Sequence, residues 1–358
     1  MQRRDFLLAL ASLGAGRAWG AQAVTFARVL PGRQMAFPAD HGAHPDFRSE
    51  WWYATGWLNL PDSSPLGFQT TFFRVRTGVG EGNASAFAPR QLILAHAAIA
   101  DPGFGRLRHD ERAARAGFGR AGFAIDKTQV WVGDWRFEEA QGGYRAVVRA
   151  EDFAYELHLV PAGPPMLNGR AGFSAKAPDP RHASYYYSRP QLKVDGSVTL
   201  AGRTSVVTGQ GWLDHEWSSE LLPDGAQGWD WIGVNLDDGS ALMAFRMRGQ
   251  ADPALWSAAS YRPADGSTRT FPRDEVVFEP LRHWRSPRTA ISYPVAWRLR
   301  VGQRIFVVEV LLDDQELDSR RSTGAIYWEG AIRLREDGRE VGRGYLEMTG
   351  YGERIRVG

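Results

Sequence analysis

Glycine and proline interrupt this chain so often that they leave no room for long helices. Among 358 residues there are 40 Gly and 20 Pro, and no amphipathic run with 3.6-residue spacing is longer than three turns. The segments between these breakers are short and rich in apolar and aromatic residues, which is typical of β-strands. The sequence therefore predicts an all-β protein.

Several predicted strands are joined by Asp-Gly pairs, which suit tight turns. Such pairs occur at 195–196, 238–239, 265–266 and 337–338, and they accept the positive φ angles that two-residue hairpins need. The predicted strands cover residues 51–60, 67–76, 92–100, 129–137, 143–150, 153–160, 192–200, 204–211, 228–236, 240–248, 296–301, 304–312, 325–335 and 342–349.

One hairpin is present twice in the sequence. WLNLPDSSPLGFQTTFFRVR (57–76) resembles GVNLDDGSALMAFRMR (233–248), and each copy follows a Trp-rich strand. The matched pairs are Asn59 with Asn235, Gly67 with Gly239, Phe73 with Phe245, Arg74 with Arg246 and Arg76 with Arg248, so that only the turn differs in length. Any two hairpins share glycine and alternating apolar residues, but this spacing predicts two related domains, because repeat arrays have periods of about 20 to 50 residues.

The domain prediction follows from this duplication. Each half could form a barrel or curved sheet of about eight strands, which is filled by side chains or holds one small ligand. We predict an N-terminal barrel with its connection at 24–190 and a C-terminal barrel at 191–358. The Pro-, Gly- and Ala-rich segment 161–190 is the predicted connection, and it could pack into the cleft between the barrels.

The first 23 residues have the layout of an export signal. A basic start precedes an apolar run from Phe6 to Leu13 and an Ala21-Gln22-Ala23 cleavage site, and the Arg3-Arg4 pair resembles a twin-arginine signal. The apolar run is too short for the roughly 20 residues of a spanning helix. We therefore predict a periplasmic or secreted protein, exported through the twin-arginine route and not integral to the membrane. The lack of Cys leaves no disulfide, thiolate or Cys-ligated zinc.

Net charge and aromatic content limit the kinds of molecule that the protein is expected to bind. The net charge is +2 and the basic residues are dispersed, so nothing indicates nucleic-acid binding. The chain has 14 Trp, 18 Phe and 11 Tyr, and aromatic residues both build β-cores and line apolar pockets.

The stretch GWLDHEWSS (211–219) is the best candidate for chemistry. Asp214, His215 and Glu216 stand consecutively between Trp212 and Trp217, and we predict that these three acid–base groups are catalytic. Alternate side chains of a strand share a face. Trp212, Asp214 and Glu216 would then lie on one side, with Leu213, His215 and Trp217 on the other, unless a bulge intervenes. Alternatively, the three polar groups form a buried network that only fixes the fold.

HPDFRSEWWYATGWL (44–58) and GWLDHEWSS together resemble the secreted lipocalin-like family of AttH proteins and carotenoid 1,2-hydratases (hydroxyneurosporene synthases), also labelled predicted secreted hydrolases. The similarity runs from about Phe37 to Gly352 and includes YWEGAI and GYLEMTGYG near the C terminus. The resemblance implies two lipocalin-like β-barrels in tandem and an apolar, isoprenoid- or lipid-like ligand. For AttH-type members it also implies a link to an ABC exporter.

Only some of the residues that the hydratases use for their activity are matched in this sequence. The hydratases use a His-x-Trp pair, matched here by His215 and Trp217, with a Tyr and an Asp on a following strand. The strand that would align carries Leu242 and Ala244 instead. Asp230 is the nearest acidic substitute.

We assign the remaining ligand-binding candidates by their position near these motifs. They are Trp212, Trp217, Glu50, Trp51, Trp52, Trp229, Asp230, Trp231, Tyr186 and Trp328. Glu50 could instead pair with an arginine such as Arg48 or Arg74, and His96 is expected to be a hydrogen-bonded core histidine.

Other site types find little support. His215-Glu216 lacks the second His of H-E-x-x-H, and no G-x-S-x-G elbow, phosphate loop or dinucleotide fingerprint is present. His41 and His44 lie beside Asp46 in a loop, yet we predict no metal and no cofactor. Two hypotheses remain: an exported enzyme performing hydratase- or hydrolase-like acid–base chemistry on a hydrophobic substrate, and a non-catalytic lipid carrier or accessory of an ABC exporter.

Overall fold

The computed structural model of the protein describes residues 24–250 and 254–354, so the predicted signal at 1–23 lies outside the described part. Within these ranges the chain forms strands and two short 3-10 turns, Ala39–His41 and Arg273–Glu275. The strands build a nearly closed barrel and a half-barrel. The predicted all-β fold with two barrel domains in tandem is confirmed.

The first sheet contains strands from both sides of the predicted domain boundary. In chain order these are β1 (Ser49–Asn59), β2 (Pro65–Arg76), β3 (Gln91–Asp101), β4 (Arg106–Arg115), β5 (Ala121–Phe123), β6 (Gln129–Val132), β7 (Trp135–Ala140), β8 (Gly143–Arg149), β9 (Phe153–Val160), β10 (Met166–Leu167), β11 (Phe173–Ala175), β12 (Ala183–Leu200) and β13 (Arg203–Ser218). Their order across the sheet is β4-β3-β2-β1-β13-β12-β9-β8-β7-β6-β5, with β10 and β11 pairing with β12.

The second sheet begins after Ser218. It contains β14 (Ala226–Leu236), β15 (Ala241–Gly249), β16 (Trp256–Arg262), β17 (Arg269–Phe271), β18 (Val276–Arg285), β19 (Ser292–Val301), β20 (Arg304–Val310), β21 (Glu316–Ser319), β22 (Ala325–Glu336) and β23 (Arg339–Met348). The order is β17-β16-β15-β14-β23-β22-β20-β19-β18, and β21 pairs with β22.

The predicted boundary at 190/191 falls inside β12, and the changeover between sheets lies between Ser218 and Ala226. GWLDHEWSS is therefore the end of the first sheet and not the start of the second barrel. Its strand β13 pairs with β1 from Ser49 to Asn59 and with β12 on its other edge. These two ladders satisfy its backbone groups within the first sheet.

The two sheets repeat one arrangement. β3-β2-β1-β13-β12 and β16-β15-β14-β23-β22 have the same order, so β13 and β23 hold equivalent places beside the repeated hairpins. Glu50 lies opposite Arg74 in the first hairpin, as Asp230 lies opposite Arg246 in the second. When the two hairpins are aligned on these residue pairs, the strands of the first hairpin are longer than those of the second. The turns, from Asn59 to Pro65 and from Asn235 to Ala241, are of equal length, contrary to the expectation that only the turn differs.

The sheets pack against each other through the outer faces of these hairpins. Trp57 donates its indole N–H to the carbonyl of Gly344 at 3.0 Å, and the side chain of Asn235 donates to the carbonyl of Gly211 at 2.9 Å. The segment 161–190 contacts the second sheet, since Arg262 donates to the carbonyl of Pro164 at 2.8 Å. The described residues include no helix that is long and apolar enough to cross a membrane.

Candidate functional site

Strand β13 presents two different faces, as its alternating pattern predicts. Leu213 packs in the apolar core of the first barrel, whereas Trp212 packs in the cluster between the two sheets. Asp214 and Glu216 share the side of Trp212 and line a cavity between the sheets. His215 is on the other side, so the three predicted catalytic residues do not share one site.

The cavity has a volume of about 290 Å³ and lies where the two hairpins face each other. Its apolar wall includes Trp51, Trp229 and Trp231, with Phe73 and Phe245. Trp51 and Phe73 are half-buried, whereas Trp231 is only 7% exposed. This combination of aromatic faces and a few polar groups is typical of a small-molecule site.

Two equivalent rungs of the duplicated fold face each other across this cavity. In the first sheet, Phe73, Trp51, Glu216 and Tyr186 lie side by side on neighbouring strands. In the second sheet the equivalent positions hold Phe245, Trp231, Glu347 and Glu329. Each copy of the fold thus contributes an aromatic pair and a glutamate to one shared site.

Asp214 is held by three donors. Tyr186 donates its hydroxyl at 2.5 Å, Ser188 at 2.6 Å and the indole N–H of Trp212 at 2.6 Å. Tyr186 is fixed in turn by the indole N–H of Trp231 at 3.0 Å. Burial raises the pKa of Asp214 to about 7, with the three hydrogen bonds opposing the rise and the charge of Glu216 adding to it.

Glu216 is paired with a buried lysine that sequence reasoning missed. The ammonium of Lys176 is 2.8 Å from the carboxylate, and both side chains are almost fully buried. Lys176 lies in the connecting segment just after β11, so the connection places a charge inside the cavity. A lone lysine in a Pro- and Gly-rich segment gives no local signal of that position.

Glu329 and Glu347 lie directly opposite each other on β22 and β23. Burial raises the pKa of Glu347 to about 7, with the Trp229 indole opposing this and the charges of Asp214 and Glu216 adding to it. Burial and the charge of Glu347 raise the pKa of Glu329 well above its usual range, although the Tyr53 and Tyr327 hydroxyls oppose the rise. Two opposed carboxyls in such a place favour sharing one proton.

His96 is buried and hydrogen-bonded, as expected, but its partners belong to the second half of the chain. Its Nδ1 lies 2.6 Å from the Tyr327 hydroxyl and its Nε2 lies 2.8 Å from the hydroxyl of Ser322, which donates to Glu111. Burial lowers the pKa of His96 to about 3. The imidazole is therefore neutral and joins the two sheets at the cavity edge.

The opposite face of β13 carries a second polar cluster around Glu50, of which Glu50 and Arg74 also border the cavity. Its carboxylate accepts hydrogen bonds from His215 at 2.9 Å, from His44 at 2.7 Å and from Arg74 at 2.7 Å. Arg74 is fully buried and also donates to the carbonyls of His44 and Phe47. Glu50 therefore pairs with Arg74, which is the alternative that the sequence left open.

The pKa values of this cluster fit a charge-balanced network. Burial would raise the pKa of Glu50, but the Arg74 charge and the two histidines hold it well below its usual range. Burial lowers the pKa of His44, yet Asp40 and Glu50 outweigh it and the net shift is upward. The pKa of His215 is lowered by burial despite its bond to Glu50.

Among the described residues, ligand atoms of His44, Glu50 and His215 lie within 4.8 Å of one another, close enough to hold a metal ion. One oxygen of Glu50 already accepts from both rings, and Arg74 occupies the other. An adjacent guanidinium disfavours a second cation. The donor set therefore fits a hydrogen-bonded network better than a metal centre.

The remaining predicted ligand residues divide between the cavity and the cores. Trp51, Trp229 and Trp231 line the cavity, and Tyr186 and Trp212 support it through Asp214. Trp52 and Trp217 instead stack near His215 and His44, and Trp328 packs in the second core. Asp230 is fully buried in an ion pair with Arg246 at 2.6 Å.

Comparison with known proteins places the chain in a family. The AttH-like family matches residues 28–351. A crystal structure of a candidate AttH protein from Nitrosomonas europaea is 52% identical, covers 92% of this chain and 100% of its own, and has a TM-score of 0.86. No curated protein matches the chain significantly.

Two more distant structures share the fold. Kievitone hydratase from Nectria haematococca is 15% identical, with 91% of this chain and 96% of that chain covered and a TM-score of 0.69. CghA is 12% identical, with 85% and 89% covered and a TM-score of 0.54. At such identities the likeness concerns the fold alone, whereas the family match spans nearly all of the described chain. This protein therefore belongs to the AttH-like family.

Proposed function

We propose that this chain is an exported protein that binds a hydrophobic small molecule in the cavity between its two sheets and performs acid–base chemistry on it. Addition of water to a carbon–carbon double bond is the reaction that the cavity suits best. The observation that carries the proposal is the presence of carboxyl groups with pKa values near 7 on the wall of an otherwise aromatic cavity.

Hydration needs an acid and a base that act on one substrate. A protonated carboxyl donates its proton to one alkene carbon, water attacks the other carbon, and a neighbouring carboxylate takes the proton that the water loses. Glu347 and Glu329 lie opposite each other and favour sharing a single proton. They could therefore supply both groups, and the proton count is restored after each addition.

The aromatic wall suits the intermediate of this reaction. Protonation of an alkene creates positive charge on carbon, which aromatic faces stabilise by cation–π attraction. Trp51 and Trp231 flank Glu216 and Glu347 on their neighbouring strands. The positive charge would thus form between rings and carboxylates.

Asp214 and Glu216 keep a role in this proposal, but His215 does not. Asp214 and Glu216 line the cavity and raise the pKa of Glu347 through their charges. His215 binds Glu50 on the far side of the strand. Kievitone hydratase, whose name indicates addition of water, shares the fold, so the fold is compatible with this reaction class.

The test begins with the ligand that the protein retains when purified from its native source. Native mass spectrometry would identify the bound molecule, which is then incubated with the protein in isotopically labelled water. We expect one labelled water to be added. Glu347→Gln should abolish the addition, whereas Glu340→Gln, on the same strand but outside the cavity, should not. A ligand returned unchanged would refute the catalytic part and favour a carrier.

Export is tested separately from chemistry. We propose that residues 1–23 direct the chain through the twin-arginine route, on the basis of Arg3, Arg4 and the apolar run that follows. A reporter carrying these residues should reach the periplasm, and replacing both arginines by lysine should block it. Export of the lysine variant at the normal level would contradict this route.

A further inference from the structure

Acidic groups outnumber basic groups on the wall of the inter-sheet cavity. Asp214, Glu216, Glu329 and Glu347 line it, and Lys176 is the ammonium among the described lining residues. Glu50 and Arg74 also border the cavity, but they form an ion pair with each other. His96 is neutral because burial lowers its pKa to about 3. Apart from the Glu50–Arg74 pair, the wall therefore carries four carboxyls and one ammonium, which is paired with Glu216.

Polar atoms of Glu329 and Tyr53 on this wall lack a hydrogen bond of regular geometry. Oε1 of Glu329 and the hydroxyl of Tyr53 make no such bond, although each group is close enough to shift the pKa of the other, and their side chains are 2% and 5% exposed. Nearly all buried polar groups in folded proteins are hydrogen-bonded, and unpaired ones call for an explanation. A donor supplied by a ligand would satisfy the oxygen of Glu329.

The cavity already accommodates one organic cation. The ammonium of Lys176 lies 4.3 Å from the centroid of the Phe245 ring and 5.1 Å from that of Tyr186, and it pairs with Glu216. Lys176 thus contacts Glu216 of the first sheet and Phe245 of the second sheet. The equivalent glutamate of the second sheet, Glu347, lies beside Trp231 and has no lysine counterpart among the lining residues.

We infer that the cavity takes a hydrophobic organic cation, such as an alkyl or cyclic amine, whose ammonium lies between Glu347, Glu329 and the indole of Trp231. The inference rests on the proposed function, since it names the ligand class of the same site. Carboxylates beside aromatic faces are the combination that recognises ammonium groups. A bare metal ion fits less well, because hard cations require six or more oxygen ligands in a compact shell.

The pH dependence of binding has a definite sign. The groups that face the Glu329–Glu347 pair are Asp214, Glu216, Lys176, Tyr53, Tyr327 and His96. Asp214 and Glu347 have pKa values of about 7, so they lose their protons as the pH rises from 5 to 8. An amine that stays protonated over this range should bind more tightly at pH 8 than at pH 5.

Three probes with the same apolar cage separate charge from hydrophobicity: 1-adamantanamine, 1-adamantanol and adamantane-1-carboxylate. Their binding to the full chain is followed by tryptophan fluorescence and calorimetry. At pH 8 we expect the amine to bind at least tenfold more tightly than the alcohol and the carboxylate to bind most weakly. At pH 5 the advantage of the amine over the alcohol should shrink severalfold.

Variants locate the effect within the cavity. Glu347→Gln, and separately Glu329→Gln, should reduce the ratio of amine affinity to alcohol affinity at pH 8. The control Glu340→Gln lies on β23 outside the cavity and should leave both unchanged. Unfolding curves of each variant verify that it is folded.

The outcomes separate this inference from the proposed function. Equal binding of amine and alcohol would overturn the cation preference but keep a hydrophobic ligand site. Tightest binding of the carboxylate would also overturn it and would assign recognition to Lys176. Failure of all three probes to bind would count against both the cation preference and the hydrophobic site.

Discussion

The polar clusters on the two sides of β13 differ in character. Towards the first barrel, Glu50 accepts from His215, His44 and Arg74, and its charge is matched by a buried guanidinium. On the side of the second sheet, Glu329 and Glu347 lie opposite each other as two acids, and one oxygen of Glu329 makes no hydrogen bond of regular geometry. The first arrangement is typical of a network that fixes the fold, and the second of a site that awaits a ligand.

This difference indicates how buried polar residues with a structural role can be distinguished from those with a functional role. Buried charges that are paired and fully hydrogen-bonded stabilise one conformation. Buried acids without a matching positive charge reduce stability, and they occur often at functional sites. The two faces should therefore respond in opposite ways to removal of a charge.

Replacing Arg74 by Met should have the largest effect on stability. It leaves Glu50 buried without its matching charge, so we expect the free energy of unfolding to fall by about 3 to 5 kcal/mol. Denaturant unfolding at pH 7 measures this. Arg145→Met is the control, because Arg145 pairs with Glu138 and Glu156 at the surface, and it should cost less than about 1 kcal/mol. Similar losses in both variants would contradict a structural role for the barrel-side cluster.

Replacing Glu347 by Gln should increase the free energy of unfolding, which is the opposite of the change expected for Arg74→Met. The pKa of Glu347 is raised to about 7 in the folded state, so the folded state binds more protons than the unfolded state between pH 4.5 and 7. Stability is therefore lost as the pH rises through this window. The variant lacks this loss, and relative to wild type it should gain on the order of 2 kcal/mol between pH 5 and pH 8.

The measurement is the difference between unfolding curves of wild type and Glu347→Gln across this pH range. His44, whose pKa is raised, also loses its stabilising charge as the pH rises, but it does so in both proteins and cancels. A difference that does not change with pH would show that Glu347 is not perturbed by burial.

His215→Phe separates structure from binding on the barrel side. The ring stacks on Trp52 with centroids 4.8 Å apart and donates to Glu50. Losing the donor should destabilise the fold by about 2 kcal/mol. Binding of the neutral adamantanol probe should stay the same, since His215 does not line the cavity. A loss of probe binding without a loss of stability would return His215 to the functional site.

Ser188→Ala should have the smallest effect. Ser188 is one of three donors to Asp214, and its removal should cost about 1 kcal/mol at pH 8. The loss should be smaller at pH 5, where Asp214, with its pKa of about 7, is protonated and needs fewer donors. Unfolding at the two pH values measures this, and an equal loss at both would contradict the raised pKa.

Local patterns in the sequence predicted the strand type and the two faces of β13. The alternation of Trp212, Leu213 and Asp214 places each side chain correctly, because a strand has a period of two. The predicted boundary at 190/191 falls inside β12, because the Pro-, Gly- and Ala-rich segment 161–190 was interpreted as the connection between the barrels. In the structure Pro190 lies in a β-bulge, where the pairing shifts between Arg189 and Leu192 and the strand continues.

The cavity could not be predicted from local patterns. Glu347 becomes a neighbour of Glu216 only when the two sheets face each other, and Lys176 does so only when β11 pairs with β12 beside β13. The equivalent Glu50–Arg74 and Asp230–Arg246 pairs give the correct alignment of the two hairpins. In that alignment Glu216 and Glu347 occupy equivalent positions, beside Trp51 and Trp231. The sequence alignment through Asn59 and Asn235 placed the length difference between the hairpins in the turn, whereas the structure places it in the strands.

The most direct test of the two-face account is a crystal structure of the protein with the ligand that it carries from its native source. We expect ligand density between the sheets, in contact with Trp231 and Glu347, and an unchanged cluster around Glu50. Density inside the first barrel beside His215, with the inter-sheet cavity unoccupied, would contradict it.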